Sequence, residues 1–139
     1  MLAEIRFTNA RRSLTDLFDG VWHRSLPTIV TRRRNEEILL LRRDLQQDIL
    51  KAYTFEPEVL SEEDGSITLA LEELELVVNA PTLEEAVSEM VKEMTVYAVD
   101  YKERIQVFLN APNRRGHFPY ILRVWLCDDE REVRSLLGI

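Results

Sequence analysis

Apolar and polar positions follow two rhythms along the chain. "EIRF" (Glu4 to Phe7) alternates as a short strand does. Spacings of three and four then take over. Ala10, Leu14, Leu17, Phe18, Val21 and Trp22 fall on one stripe of a helix opened by Thr8 or Asn9 and ending near His23, with Gly20 weakening its last turn. That stripe, Trp22 included, is expected to face a core, and His23 to be a terminal surface residue. "LPTIVT" reads as a strand entered at Pro27, "RRRNE" as a turn in which Asn35 takes positive φ, and "EILLLRR" as the returning strand. Ile38, Leu39, Leu40 and Leu41 are apolar in succession, so this strand is expected to be covered on both faces. "RDLQQDILKAY" resumes the helical spacing, with Asp44 near its start and Leu45, Ile49 and Leu50 inward. The first 53 residues thus read β-α-β-β-α. A module this short buries little surface and often depends on a partner subunit.

Beyond it the pattern changes. Thr54 to Ser66, "TFEPEVLSEEDGS", is polar, acidic and turn-rich, and reads as a linker or loop. "LALEELEL" alone would suit a helix. Alternating Ile67, Leu69 and Leu71 with the β-branched Val77-Val78 favour two short strands, Thr68 to Glu72 and Glu75 to Val78. The strongest helix follows. Thr82 with Glu85 three residues on forms a capping box, and Pro81 bars an earlier start. Its stripe of Leu83, Val87, Met90, Met94, Tyr97, Tyr101, Ile105 and Phe108 runs about seven turns, at 3.6 residues each, until Asn110-Ala111-Pro112 stops it. After a break at Gly116, Pro119 suits a first helical turn, with Phe118, Ile121, Leu122, Trp125 and Leu126 on one face. Asp128-Asp129 caps a last helix that turns Val133, Leu136 and Leu137 inward and ends at Gly138. The fold class is α+β: the β-α-β-β-α module, then a β-hairpin and a part rich in long helices. The expected domains are residues 1–55 and 56–139.

Charge sharpens that division. The 139 residues carry a net −7. Residues 1–55 hold ten basic groups, nine of them arginine, against seven acidic ones, a balance of +3; residues 56–139 hold eight against eighteen, a balance of −10. Such an asymmetry fits a nucleic-acid-facing part joined to an acidic part with another partner, or simply an uneven surface.

Other chemistry is sparse. His23 and His117 stand far apart, nothing resembles HExxH or paired CxxC, and no glycine-rich phosphate loop occurs, so no metal, cofactor or small-molecule substrate is expected. Cys127 is the single cysteine, which excludes an internal disulfide and fits a reducing compartment. No apolar run reaches the ~18 residues of a membrane span. The opening "MLAEIRFTNARRS" lacks the apolar stretch of a signal peptide, so a cytoplasmic protein without membrane contact is expected. Carboxylates such as Glu62, Glu63 and Asp64 cluster without a partnered base, so no enzyme is expected.

"NARRSLTDLFDGV" followed by "PTIVTRRRNEEILLLRRDLQQDIL" resembles the DNA-binding domain of Phd/YefM antitoxins. Ala10-Arg11, Leu14, Leu17 and Thr31-Arg32 carry the resemblance, which spans roughly residues 3–53. The turn departs from it: Arg33-Arg34-Asn35 stands where the family often has glycine after the arginine. "EDGSITLALEELELVVNAPTLEEAVSEMVKEM" is similar to the strand–strand–helix unit of HicB-type antitoxins. With the ending "FPYILRVWLCDDEREVRSLL", nearly the whole chain resembles antitoxins of RelE/RelB-type systems that join a Phd-like module to a folded second part.

The resemblance implies a symmetric dimer on a palindromic operator. It places Arg11 at the DNA-facing start of the first helix and Arg32 on the hairpin. Charge and sequence proximity add Arg12, Arg33 and Arg34. A guanidinium fork can bond guanine O6 and N7 together, worth ~1–3 kcal/mol of base discrimination, while other arginines hold phosphates. The expected function is that of a type II antitoxin: an autorepressing DNA-binding dimer whose acidic part neutralises a RelE-like ribonuclease toxin. Glu84, Glu85, Glu89 and Glu93 are candidate toxin contacts on the outer side of the helix, each more readily read as a solvated helix face. The alternative is a dimeric transcriptional regulator with a folded sensor or oligomerisation domain and no toxin.

Overall fold

Two three-stranded sheets organise the chain, described over all residues Met1–Ile139 by a computed structural model. They belong to separate compact units, Met1–Ile49 and Leu50–Ile139.

In the first unit the order is β1 (Glu4–Arg6), α1 (Phe7–Arg12), α2 (Leu14–His23), β2 (Thr28–Arg32), β3 (Glu36–Leu40) and α3 (Arg43–Leu50), the last residue of which falls in the second unit. β1 pairs parallel to β2, Arg6 opposite Thr31, and β2 pairs antiparallel to β3, Arg32 opposite Glu36. The helices therefore form the crossover that a parallel pair requires. Thr28 and Val30 alternate inward on β2, and Val30 packs with Ala10 and Leu17.

Four expectations fail here. The first helix starts at Phe7, before Thr8 and Asn9, on an extended Arg6 that offers no side-chain cap. It is then broken at Ser13, whose φ/ψ of −121°/41° leaves the helical region and whose hydroxyl donates to the Asn9 carbonyl at 2.7 Å. A serine so placed competes for backbone acceptors and interrupts a helix. At the hairpin tip Arg33, not Asn35, takes positive φ (57°). Its guanidinium and that of Arg32 both donate to the Glu36 carboxylate, which holds the tip in that form. Finally, the apolar residues are not covered. Leu14 is 63%, Phe18 64% and Trp22 48% exposed, and Ile38, Leu39 and Ile49 are exposed too. One sheet and three short helices can seal only Ala10, Leu17 and Val30, with Ile5, Val21 and Leu40 half-buried around them. The unit lacks a layer for the rest of the stripe.

The second unit runs β4 (Glu58–Ser61), β5 (Ile67–Leu71), β6 (Leu76–Ala80), α4 (Leu83–Glu103), α5 (Ile105–Asn110), α6 (Pro112–Arg115), α7 (Phe118–Trp125) and α8 (Glu130–Leu136). Its sheet is an antiparallel meander in the order β4-β5-β6. The expected hairpin thus gains a third strand, drawn from the segment read as a linker. β4 is exposed at every position, which is why its composition looked like a loop's. The segment is anchored as well: Phe55 is buried, edge-on to Tyr120 at 5.4 Å, and Arg123 donates to the Tyr53 carbonyl at 2.8 Å. Between β4 and β5, Asp64 accepts from the Ser66 amide and hydroxyl and Gly65 takes φ 86°. These bonds hold the Asp64 carboxyl below its ordinary range. That carboxylate closes a turn.

α4 starts as its sequence dictates, with the Glu85 amide donating to Thr82 Oγ1 at 3.2 Å. It does not run unbroken to Phe108. Arg104 leaves helical geometry (φ −118°, ψ 35°), and the bend lays Phe108 flat against Tyr101, ring centroids 4.9 Å apart. Tyr101, Met90, Met94, Leu69, Leu71, Leu74 and Ile121 are fully buried. Tyr101 donates its hydroxyl to the Arg114 carbonyl at 2.9 Å, and Trp125 its indole N–H to the Ala98 carbonyl at 2.9 Å, so the two largest polar-tipped rings enter the core with partners. Asp129 caps α8 by accepting from the Glu132 amide at 2.9 Å, and Gly138 follows with φ 69°. α6, which opens at Pro112, has no counterpart in the sequence reading.

Candidate nucleic-acid interface

β1 runs directly into α1, and β2 runs out into the basic hairpin tip beside it. Register does the rest. Arg6 lies opposite Thr31, so Arg32 leaves the sheet next to Phe7, the first residue of α1. The Arg32 guanidinium stands over the Phe7 ring, 5.5 Å from its centroid. Arg11 is four residues on from Phe7 and shares its helix face. The structure thus puts Arg32 over the Phe7 ring and Arg11 one helical turn on from Phe7, with Arg12 next to Arg11 and Arg33 and Arg34 at the exposed tip.

Arg11 and Arg12 sit in the last turn of α1, not at a helix start, because the helix begins at Phe7, two or three residues earlier than a Thr8 or Asn9 cap implied, and breaks at Ser13. Basic side chains complement the negative end of the helix dipole there. They also lose any help from N-terminal amides in holding an anion. Arg6, exposed at the end of β1, was missed by sequence reasoning, since only the parallel register puts it beside the hairpin. Phe7, the platform for Arg32, was missed for the same reason.

Not all the charge is free. Arg32 Nε lies 2.6 Å from Glu36 Oε2, and Arg33 Nη1 3.4 Å from Oε1. All three side chains are well exposed, and such pairs are worth roughly 0–1 kcal/mol. A bidentate bond to guanine is worth ~1–3 kcal/mol, enough for Arg32 to exchange Glu36 for a base edge. Arg42, by contrast, is structural. It chelates Asp44, donates to Ser25 Oγ at 2.7 Å and stands 4.8 Å over the Trp22 ring. Its hydrogen bonds keep the Asp44 carboxyl below its ordinary range.

The second unit carries different chemistry. Glu84 is bound to Arg134 of α8 through both oxygens at 2.9 Å, and Glu89 to Lys92 at 2.9 Å. Glu85 and Glu93 are exposed on α4. His117 is buried, with Nδ1 2.6 Å from the Tyr97 hydroxyl; burial first, then the neighbouring Arg114, holds its pKa below the ordinary value. Burial pushes the Cys127 thiol up to about 11, which leaves it protonated and a poor nucleophile at neutral pH. No three His, Cys, Asp or Glu side chains gather into a metal-sized cluster, and no helix is long and apolar enough to cross a membrane.

The model of a PHD-like family, described as the antitoxin of RelE/RelB toxin–antitoxin systems, matches residues 1–139. The chain belongs to this antitoxin family. It is also similar, at 31% identity and a TM-score of 0.86, to a crystal structure from Syntrophomonas wolfei subsp. wolfei described as the antitoxin part of a proposed toxin/antitoxin system. The likeness covers 97% of this chain and 96% of that one, so it takes in both units of the antitoxin. No curated protein sequence matches it.

Proposed function

We propose that this antitoxin represses its own operon as a DNA-binding homodimer and neutralises a RelE-like ribonuclease by direct binding, with the two tasks divided between its units. The observation that carries the DNA part is the set of arginines around Phe7: Arg11 and Arg12 from α1, Arg32, Arg33 and Arg34 from the hairpin, and Arg6 from the adjoining strand. Three elements supply these side chains, and Glu36 is the only acid bonded to the group. Cationic side chains so grouped bind phosphates in a salt-dependent way while one or two read bases.

Dimerisation is supported by the uncovered apolar stripe. Leu14, Phe18 and Trp22 with Leu40 and Leu41 line an apolar groove of 410 Å³, a face that a second copy could seal against itself. Residues 56–139, which lie within the second unit and carry a balance of −10, suit a partner that must be cationic to hold RNA. Membership of a toxin–antitoxin family weighs against a regulator without a toxin.

Fluorescence anisotropy on a duplex from the protein's own promoter, against scrambled DNA at two salt concentrations, tests the first task. Promoter-specific binding that weakens with salt is expected; equal affinity for both duplexes would reduce these arginines to surface charge. Truncation after Phe55 tests the second. It is expected to abolish neutralisation of toxin, and a neutralising fragment 1–55 would end the proposed division.

A further inference from the structure

A groove of 570 Å³ lies within the second unit, between the outer face of α4, the tight turn before β6 and the bend at Arg104. Val96 and Val99 form its exposed floor, 63% and 51% accessible, an uncommon use of valine on an open helix face. Leu76 and Phe108 continue the apolar surface. Glu93 and Glu103 stand at its two ends.

Its charges are not equivalent. Arg104 is held by Asp100 at 2.8 and 2.6 Å and lies over Phe108, 4.9 Å from the ring. Arg114 donates to the Tyr97 hydroxyl at 3.2 Å and pairs with Glu75 at 3.4 Å. Both cations are spent inside the wall. Glu93 has no ion pair or hydrogen bond in the molecule, and Glu103 only adds to the field at Arg104. The groove therefore offers an apolar floor with a carboxylate that no ion pair holds at each end. Those carboxylates are ten residues apart on one helix, about 15 Å at 1.5 Å per residue. Glu75 on the opposite wall is not a third such acid, since Arg114 holds it.

We infer that this groove is the seat of an amphipathic cationic helix of the toxin, lying along α4 with apolar residues on Val96 and Val99 and a basic residue near each of Glu93 and Glu103. A helix presents such a face when Lys or Arg recur ten or eleven positions apart with apolar residues at three- and four-residue spacing between them. A second copy of the same groove is disfavoured, since two acidic rims would meet. The inference rests on the reading that the second unit holds the toxin, and it locates the contact.

The test is hydrogen exchange on full-length antitoxin, free and bound to the toxin co-expressed from its own operon. Residues 93–108 are expected to gain protection, together with one helical, basic toxin segment. Protection confined to other parts of residues 50–139 would overturn the groove and keep the unit as the binding site; protection confined to residues 1–49 would overturn both. Val96→Asp with Val99→Asp is expected to weaken toxin affinity at least a hundredfold. Glu93→Lys with Glu103→Lys is expected to slow association at least tenfold at low salt and less at high salt. Promoter affinity should be unchanged in both. Affinity within twofold of the parent for both variants, or an acidic or extended toxin segment, would also overturn the proposal. So would loss of self-association in sedimentation with toxin binding intact, which would assign the groove to a second copy. All four positions face solvent, so a thermal melt is expected to match the parent. If one does not, exchange on the unmodified complex decides.

Discussion

The two units solve the same problem in opposite ways. The second closes its own core: seven side chains from β5, the following turn, α4 and α7 are fully buried, and four aromatic rings meet around Tyr101. The first seals only Ala10, Leu17 and Val30 as its apolar centre. Yet its helix stripe and its third strand are no less apolar. The difference lies in layers. A 21-residue helix can span a three-stranded meander and receive shorter helices on its flank. A ten-residue helix beside a three-stranded sheet leaves its outer side bare. A small sheet with three short helices has too little surface to bury everything it displays. A unit of this kind is completed by another surface, and the proposed homodimer would supply it.

The largest effect should come from the closed core. Tyr101→Ala removes a fully buried ring and an internal hydrogen bond, and is expected to cost roughly 3–5 kcal/mol, read as a large fall in Tm. Tyr101→Phe should cost only about 1 kcal/mol, the worth of the hydroxyl's bond to Arg114. A small loss with alanine would mean that this core is less consolidated than its packing indicates. Next is the open face. Phe18→Ala with Trp22→Ala should shift sedimentation from dimer to monomer at micromolar protein and remove the concentration dependence of Tm. An unchanged dimer would show that the bare stripe is not the contact. Arg11→Ala with Arg32→Ala should then lower promoter affinity by roughly ten- to a hundredfold and reduce the salt slope by about two, with the fold and toxin binding retained. Thr82→Ala is smaller, about 1 kcal/mol, from loss of the α4 cap.

The smallest effect concerns His117. Burial keeps its folded pKa below the unfolded value of about 6.5, so the unfolded chain binds the proton more readily. The stability associated with neutral His117 is complete above about pH 6.5 and is lost as pH falls through the lower folded value. Denaturant titrations on either side of that window should show this loss, and His117→Gln should flatten it. A larger loss in the variant than in the parent would contradict the sign.

What was legible in the sequence was what neighbouring residues decide among themselves. Thr82 caps α4 and Asp129 caps α8 because a side-chain oxygen needs only a backbone amide three residues on. Gly138 and Asn110-Ala111-Pro112 end helices for equally local reasons. The α+β class and the family resemblance rest on such signals. The breaks at Ser13 and Arg104 were not legible, since one depends on a hydroxyl choosing a backbone acceptor and the other on Phe108 finding Tyr101. Nor was β4, a strand only by pairing with β5, nor the exposure of Phe18 and Trp22, because periodicity marks an apolar stripe without saying whether one chain can cover it.

The candidate sites divide along the same line. Sequence alone determined that arginines crowd the hairpin and acids the second part. Only the tertiary structure decided that Arg32 stacks on Phe7 with Arg11 one turn away and Arg6 in the next strand. It also decided that Glu84 is tied to Arg134 fifty residues on, while Glu93 stays unpaired beside a bare valine floor. Charge is a property of residues and can be counted. Which charges are neutralised, and which face a partner, depends on contacts between distant segments that composition does not record.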